Sequence, residues 1–151
     1  MKLVRFLHSG VESYGLLVDK GILNLPFLSR IKEYSLPLNL EGLVSLGREG
    51  IPAVKKAVQD SSEREMREAT LRREYITLLA PLPSPPKILC LGLNYRDHAE
   101  EGKAKIPDEP IVFMKPRTAI IGPEENIIRP GFVKQLDYEA ELAVILGKRG
   151  K

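Results

Sequence analysis

Four prolines fall within the seven residues Ala80-Pro81-Leu82-Pro83-Ser84-Pro85-Pro86. Proline fixes φ, lacks an amide hydrogen and restricts the residue before it. Such a run therefore joins neither a helix nor the interior of a sheet. It reads as a stiff, extended connector. It divides the chain into a small N-terminal domain over 1–79, the connector over 80–87 and a second domain over 88–151.

On the N-terminal side the pattern begins β-like. Leu3–Leu7, Tyr14–Val18 and Ile22–Leu25 are short apolar runs separated by Ser9-Gly10 and Asp19-Lys20-Gly21, which predicts a small meander. Helical spacing follows. Asn39 is positioned to cap Leu40–Leu46, and Ile51, Val54 and Val58 recur at helical spacing with Pro52 in a first turn. Ser62 and Glu65 have the spacing of a capping box opening Glu63–Arg73. Beyond the connector, Lys87–Leu91, Ile111–Met114, Thr118–Ile121 and Asn126–Ile128 read as strands, and Asn94–Glu101 as a short helix. Asp137–Leu146 reads as a long strand. The expected class is α+β.

Length and composition narrow the function. A chain of 151 residues with 43% hydrophobic and 28% charged residues has the make-up of a globular protein. The net charge is +3, with 23 basic and 20 acidic residues interspersed, so no basic block favours nucleic acid. The single Cys90 excludes an internal disulfide and a multi-cysteine zinc site, and points to a reducing compartment. No apolar run approaches the ~20 residues of a membrane span, and the start at Met1-Lys2-Leu3-Val4 has no secretory core. A cytoplasmic home is expected.

Three groups of residues stand out for chemistry. On a strand, Asp137, Glu139 and Glu141 share one face, roughly 6.5–7 Å apart. The apolar continuation Leu142-Ala143-Val144-Ile145-Leu146 predicts that they approach a core, where carboxylates need pairing or a metal. Oxygen-only donors select Mg²⁺, Mn²⁺ or Ca²⁺. The alternative is an edge strand whose charged face looks at solvent. On a helix, His98 and Glu101 share a face, and a carboxylate beside an imidazole makes a general base; a salt-bridged surface histidine is the alternative. Lys115 and Arg117 flank Pro116 and suit a substrate carboxylate, or simply solvent. Cys90, in an apolar strand, reads as a small core residue.

Taken in order, these stretches resemble a known family. They are Ala80-Pro81-Leu82, Lys87-Ile88-Leu89-Cys90-Leu91-Gly92-Leu93-Asn94-Tyr95, His98-Ala99-Glu100-Glu101, Glu109-Pro110, Phe113-Met114-Lys115-Pro116, Gly122-Pro123 and Leu136-Asp137-Tyr138-Glu139-Ala140-Glu141-Leu142-Ala143-Val144. Together they resemble the fumarylacetoacetate hydrolase family, with its acylpyruvate hydrolases, oxaloacetate decarboxylases or tautomerases, and dienoate isomerases. The motif-bearing match covers about 80–151.

The resemblance implies a small N-terminal α/β domain followed by the first part of a mixed β-roll, usually in a homodimer. It implies Glu139 and Glu141 as metal ligands for Mg²⁺ or Mn²⁺, with Asp137 behind them. It implies His98 and Glu101 as the pair that activates water, and Lys115 as a lysine lining the substrate cavity. The expected function is a metal-dependent hydrolase, decarboxylase or isomerase of acylpyruvate-like or 2-oxo/2-hydroxydienoate acids, working through a metal-bound enolate. The partner is a small keto or enol acid, not nucleic acid or membrane. The family's third metal carboxylate and a catalytic lysine lie beyond the position of Lys151. This implies a truncated enzyme, completed by a C-terminal segment or a second copy. The rival reading is a non-catalytic fragment or a partner-dependent interaction module.

Overall fold

The computed structural model describes residues 1–103 and 105–148. Contacts divide them into two units. One comprises Met1–Leu82 together with the chain from Ile121, and the other Pro83–Ile120.

The first unit is built on a five-stranded antiparallel sheet. Strand β1 (Leu3–His8) pairs with β2 (Val11–Val18), and β2 with β3 (Gly21–Asn24). This is the predicted meander, with β2 beginning three residues earlier than the apolar run suggests. Four helices follow: α1 (Leu25–Lys32), α2 (Leu40–Ser45), α3 (Gly50–Gln59) and α4 (Glu63–Ala69). The short strands β4 (Thr70–Leu71) and β5 (Thr77–Leu79) return the chain to the two edges, giving the order β4-β3-β2-β1-β5.

Register decides which face the helices cover. Leu3 stands opposite Leu16, Arg5 opposite Tyr14 and Leu16 opposite Leu23, so these side chains share one face. Tyr14, Leu16 and Leu23 cluster with Leu25, Leu28, Leu36, Leu40, Leu43, Val54, Ala57 and Ala69. Phe6 and Ile22, on the opposite face, are also fully buried. Gly15 is required where β2 and β3 meet. A Cβ there would lie 2.2 Å from the Leu23 carbonyl oxygen.

The caps explain where the helices start. Asn39 accepts from the Gly42 amide at 2.8 Å. Ser62 and Glu65 form the complete capping box, with the Ser62 amide donating to Glu65 at 2.7 Å. Those bonds, with Lys32 nearby, hold the Glu65 carboxyl below its ordinary range. Helix α1 was not anticipated, because the apolar run Ile22–Leu25 reads as a strand to its end. Asn24 stops the strand: its side chain accepts from the Phe27 amide at 3.2 Å, and Pro26 occupies the first turn. At the other end of α1, Glu33 adopts a left-handed φ of 55°. Buried Ser29 secures that turn by donating to the Tyr34 carbonyl and accepting from the Leu36 amide at 3.2 Å.

Arg5 ties the sheet to the start of the proline stretch. Its guanidinium donates to the Ala80 carbonyl at 3.1 Å and pairs with Glu12. The chain comes back beside this point at buried Gly122, where a Cβ would lie 3.3 Å from the Ala80 amide nitrogen.

The second unit holds a two-stranded hairpin, β6 (Ile88–Gly92) with β7 (Ile111–Lys115), and one short helix, α5 (Arg96–Glu101). Two of the predicted strands, Thr118–Ile121 and, in the first unit, Asn126–Ile128, are not formed. Arg117–Ala119 forms a 3₁₀ turn after Pro116 in place of a strand over Thr118–Ile121. Asn126–Ile128 has no ladder partner and follows a turn in which the Glu125 amide donates to the Gly122 carbonyl at 3.3 Å.

Tyr14 offers a direct test of the core. It is fully buried, its hydroxyl donates to the Pro37 carbonyl at 2.8 Å, and burial pushes its pKa up from 10.0 to about 12. The folded pKa lies above the unfolded one, so the contribution is full below about pH 10 and is lost as pH rises through about 12. Tyr14→Phe is expected to cost about 1 kcal/mol at pH 7 from the lost hydrogen bond. It is also expected to flatten the alkaline fall in stability, read as the urea midpoint against pH.

Candidate metal and substrate site

The sequence places its candidate residues on three pieces of backbone. The first is the turn from β6 into α5. Leu93 adopts a left-handed φ of 50°, an unusual state for a branched residue that no sequence signal announced. It turns the chain sharply before Asn94 and Tyr95. Helix α5 is held by the Ala99 amide donating to the Tyr95 carbonyl at 3.2 Å and the Gly102 amide donating to the His98 carbonyl at 3.1 Å. Ala99 is fully buried and so fixes the inner side of the helix. His98 and Glu101 are exposed and three residues apart, so they stand on one face as neighbours.

The second piece is the end of β7. Lys115 pairs in register with Ile88, and its ammonium lies 5.4 Å from the centre of the Phe113 ring. A cation over an aromatic face is weakly attracted and is held in place. Lys115 stands at the end of the hairpin away from Gly92, from which the chain runs into α5. Four residue steps separate Ile88 from Gly92, roughly 13 Å at strand rise. The hairpin itself therefore does not put Lys115 beside the start of α5.

The third piece carries Asp137, Glu139 and Glu141. The predicted strand Asp137–Leu146 is not formed: residues 137–146 have no regular secondary structure and are exposed. A strand exists only through its ladder to a neighbour, and among the described residues no sheet includes this stretch. Asp137 turns inward on its own backbone, where its carboxylate accepts from the Tyr138 amide at 2.8 Å. Tyr138 is 86% exposed, and Leu142 and Val144, from the run expected to enter a core, are 81% and 75% exposed. The core expected under the three carboxylates is therefore absent around them.

The donor set can be tested against a metal on these grounds. Two glutamates are hard oxygen donors of the kind Mg²⁺ and Mn²⁺ prefer. Six ligands are needed, and among the described residues no three His, Cys, Asp or Glu side chains converge. The residues present match the ion in chemistry but do not by themselves close a site around it.

Residues 87–151 match the family described as fumarylacetoacetate (FAA) hydrolase, C-terminal. This part of the chain belongs to the fumarylacetoacetate hydrolase family. A relative from Bos taurus, the mitochondrial oxaloacetate tautomerase FAHD2A, is 35% identical over 158 residues, covering 100% of this chain and 46% of its own length. An uncharacterized protein of Methanocaldococcus jannaschii is 55% identical over 67 residues, covering 44% of this chain and 28% of its own. This chain thus spans about half the length of the FAHD2A relatives it matches from end to end. The crystal structure of a Mycobacterium smegmatis protein provisionally named HpcE superposes with a TM-score of 0.59 at 21% identity, over 84% of this chain and 40% of that one. It shows the fold: α+β with antiparallel sheets, a partial fumarylacetoacetate hydrolase-like architecture. The family is of hydrolase, isomerase and decarboxylase type and generally uses a divalent metal. Among the described residues no helix is long and apolar enough to cross a membrane.

The hairpin carries one further feature. Leu89 faces Met114 and Leu91 faces Val112 in register, and all four are 48–60% exposed on one face. An isolated two-stranded ribbon with an uncovered apolar face is marginal and adhesive. The paired change Leu89→Lys with Met114→Glu is expected to lower the concentration-dependent sedimentation of the chain. An unchanged sedimentation coefficient at high concentration would show that this face is not what associates.

Proposed function

We propose that this chain carries part of the machinery of a divalent-metal enzyme acting on small 2-oxo acids that interconvert with their enols. Keto–enol isomerisation is the favoured reaction, and hydrolysis or decarboxylation of acylpyruvate-like or 2-hydroxydienoate acids are its relatives. The observation that carries this reading is the match of the whole chain to an oxaloacetate tautomerase at 35% identity. The exposed His98 and Glu101 pair on α5 supports it in chemical terms.

Isomerisation needs only a proton removed at one atom and returned at another. In this reading His98 takes the proton from the carbon beside the carbonyl, and Glu101 stabilises the imidazolium that results. For hydrolytic relatives the same pair would take a proton from water. Lys115, steadied over Phe113, offers a point charge for a substrate carboxylate. Glu139 and Glu141 are two of the ligands for Mg²⁺ or Mn²⁺, with Asp137 behind them. When bound, the ion would favour the enolate over the ketone. The remaining donors come from a second copy or from further chain. The lone cysteine and balanced charge suit a reducing, cytoplasm-like setting, whereas the FAHD2A relatives carry mitochondrial names.

A second reading has its own support. The lack of regular secondary structure over 137–146 and of three converging ligands among the described residues favours a module that is inert until completed by a partner.

Two experiments separate these readings. Calorimetric titration with Mn²⁺ is expected to show binding to the chain that the Glu139→Ala, Glu141→Ala double variant loses; retained affinity would remove these residues from the metal site. Enol–keto interconversion of oxaloacetate, followed by ultraviolet absorbance with Mn²⁺ present, is expected to fall roughly 10²-fold in His98→Ala, with metal affinity unchanged. No turnover by the unmodified chain would support the inert module.

A further inference from the structure

Residues Ile145–Lys148 end the described chain on the helical layer of the first unit, and the contact is made by backbone. An added Cβ on Gly147 would lie 2.6 Å from the Val44 carbonyl oxygen and 3.4 Å from the Gly47 Cα. An added Cβ on Gly47 would in turn lie 2.8 Å from Cε of Lys148. The two glycines therefore face one another across the end of α2, close enough that no side chain fits at Gly147. Val44 stands one residue before the end of α2, and Gly47 opens the 3₁₀ turn Gly47–Glu49 that leads into α3. Beside this contact lies an open apolar groove of about 480 Å³, with Leu3, Leu43, Val44 and Ile51 on one side and Ile145 and Leu146 on the other.

We infer that Gly47 and Gly147 form a backbone seat that fixes the point at which the carboxylate-bearing segment leaves the N-terminal domain. Gly47 has a φ of +57°, so its backbone alone favours glycine. Gly147 is not among the left-handed glycines, which are Gly10, Gly21 and Gly47. An alanine at 147 is therefore opposed only by the contact with Val44 and Gly47. Glycine here serves close approach, not an unusual fold of its own backbone. The seat also bounds the reach of the preceding segment. Glu141 lies six residues before Gly147, so it stays within about 20 Å of the seat even when fully extended. The N-terminal domain thereby restricts where Glu139 and Glu141 can be presented. The seat stands whatever the segment does; its bearing on a metal rests on the function proposed above.

Gly147 is then a positioning residue, and it can be tested without activity. The experiment is NMR on the isotope-labelled 151-residue chain. The unmodified protein is expected to show cross-relaxation between the Hα protons of Gly47 and Gly147, and between the Lys148 side chain and Gly47. In Gly147→Ala these peaks should weaken at least fivefold, and the heteronuclear NOE of residues 142–148 should fall. Resonances of the core residues Leu23 and Leu28 should not move. Gly131→Ala is the control, since nothing lies within 4 Å of a Cβ there; it should leave the seat intact. The obstruction is the Val44 carbonyl, a backbone atom, so adding Val44→Ala should not restore the seat in Gly147→Ala. Absence of the cross-peaks in the unmodified chain would overturn the inference. So would their persistence in Gly147→Ala, or rescue by Val44→Ala.

Discussion

Everything in the first unit depends on burying one face of an antiparallel sheet. Tyr14, Leu16 and Leu23 lie in register on that face, and α1 packs against both β2 and β3. Hydrophobic burial is the main favourable term, but it places elements only approximately. Caps and short polar links set the details. Asn24 ends β3 and begins α1, Ser29 closes the turn after it, and Arg5 on β1 fastens the sheet to the start of the proline stretch. The sheet and helices of the first unit are consistent at each level, which is what specifies a single fold.

The chain beyond the connector is different. The β6–β7 hairpin pairs through all five residues of each strand, yet leaves Leu89, Leu91, Val112 and Met114 substantially exposed. The 137–146 stretch has the alternation of a strand and none of its ladder. Residues 87–151 are nevertheless the part that matches the fumarylacetoacetate hydrolase family. Family membership and local completeness thus separate in this chain. The side chains with chemical promise are present, while the packing that would bury and orient them is not found around them. A carboxylate gains metal affinity from convergence with other donors, and among the described residues no such convergence surrounds Glu139 and Glu141.

What was legible in the sequence follows from the range of the interactions. The Asn39 cap and the Ser62–Glu65 box are local, and both were readable from spacing alone. The β1–β2–β3 meander was readable because its turns carry Ser9-Gly10 and Asp19-Lys20-Gly21. Helix α1 was hidden because Leu25 continues an apolar run, and the decisive signal was the polar Asn24 followed by Pro26. The strand expected over Asp137–Leu146 failed for the opposite reason. Alternation states which residues suit a strand, but the strand itself is made by a partner distant in sequence. The same limit applies to the site. His98 and Glu101 needed only a helix between them, whereas a metal centre needs several segments at once.

In the function proposed for this chain, the Glu139–Glu141 segment is a divalent-metal half-site. The most direct test is paramagnetic broadening by substoichiometric Mn²⁺ in the ¹⁵N-labelled 151-residue chain, because it reports location without needing turnover. The account predicts that the amides of Glu139, Ala140 and Glu141 broaden first, while Asp19, Glu63 and Glu74 stay sharp. Broadening centred on those other carboxylates, or none at all, would contradict it.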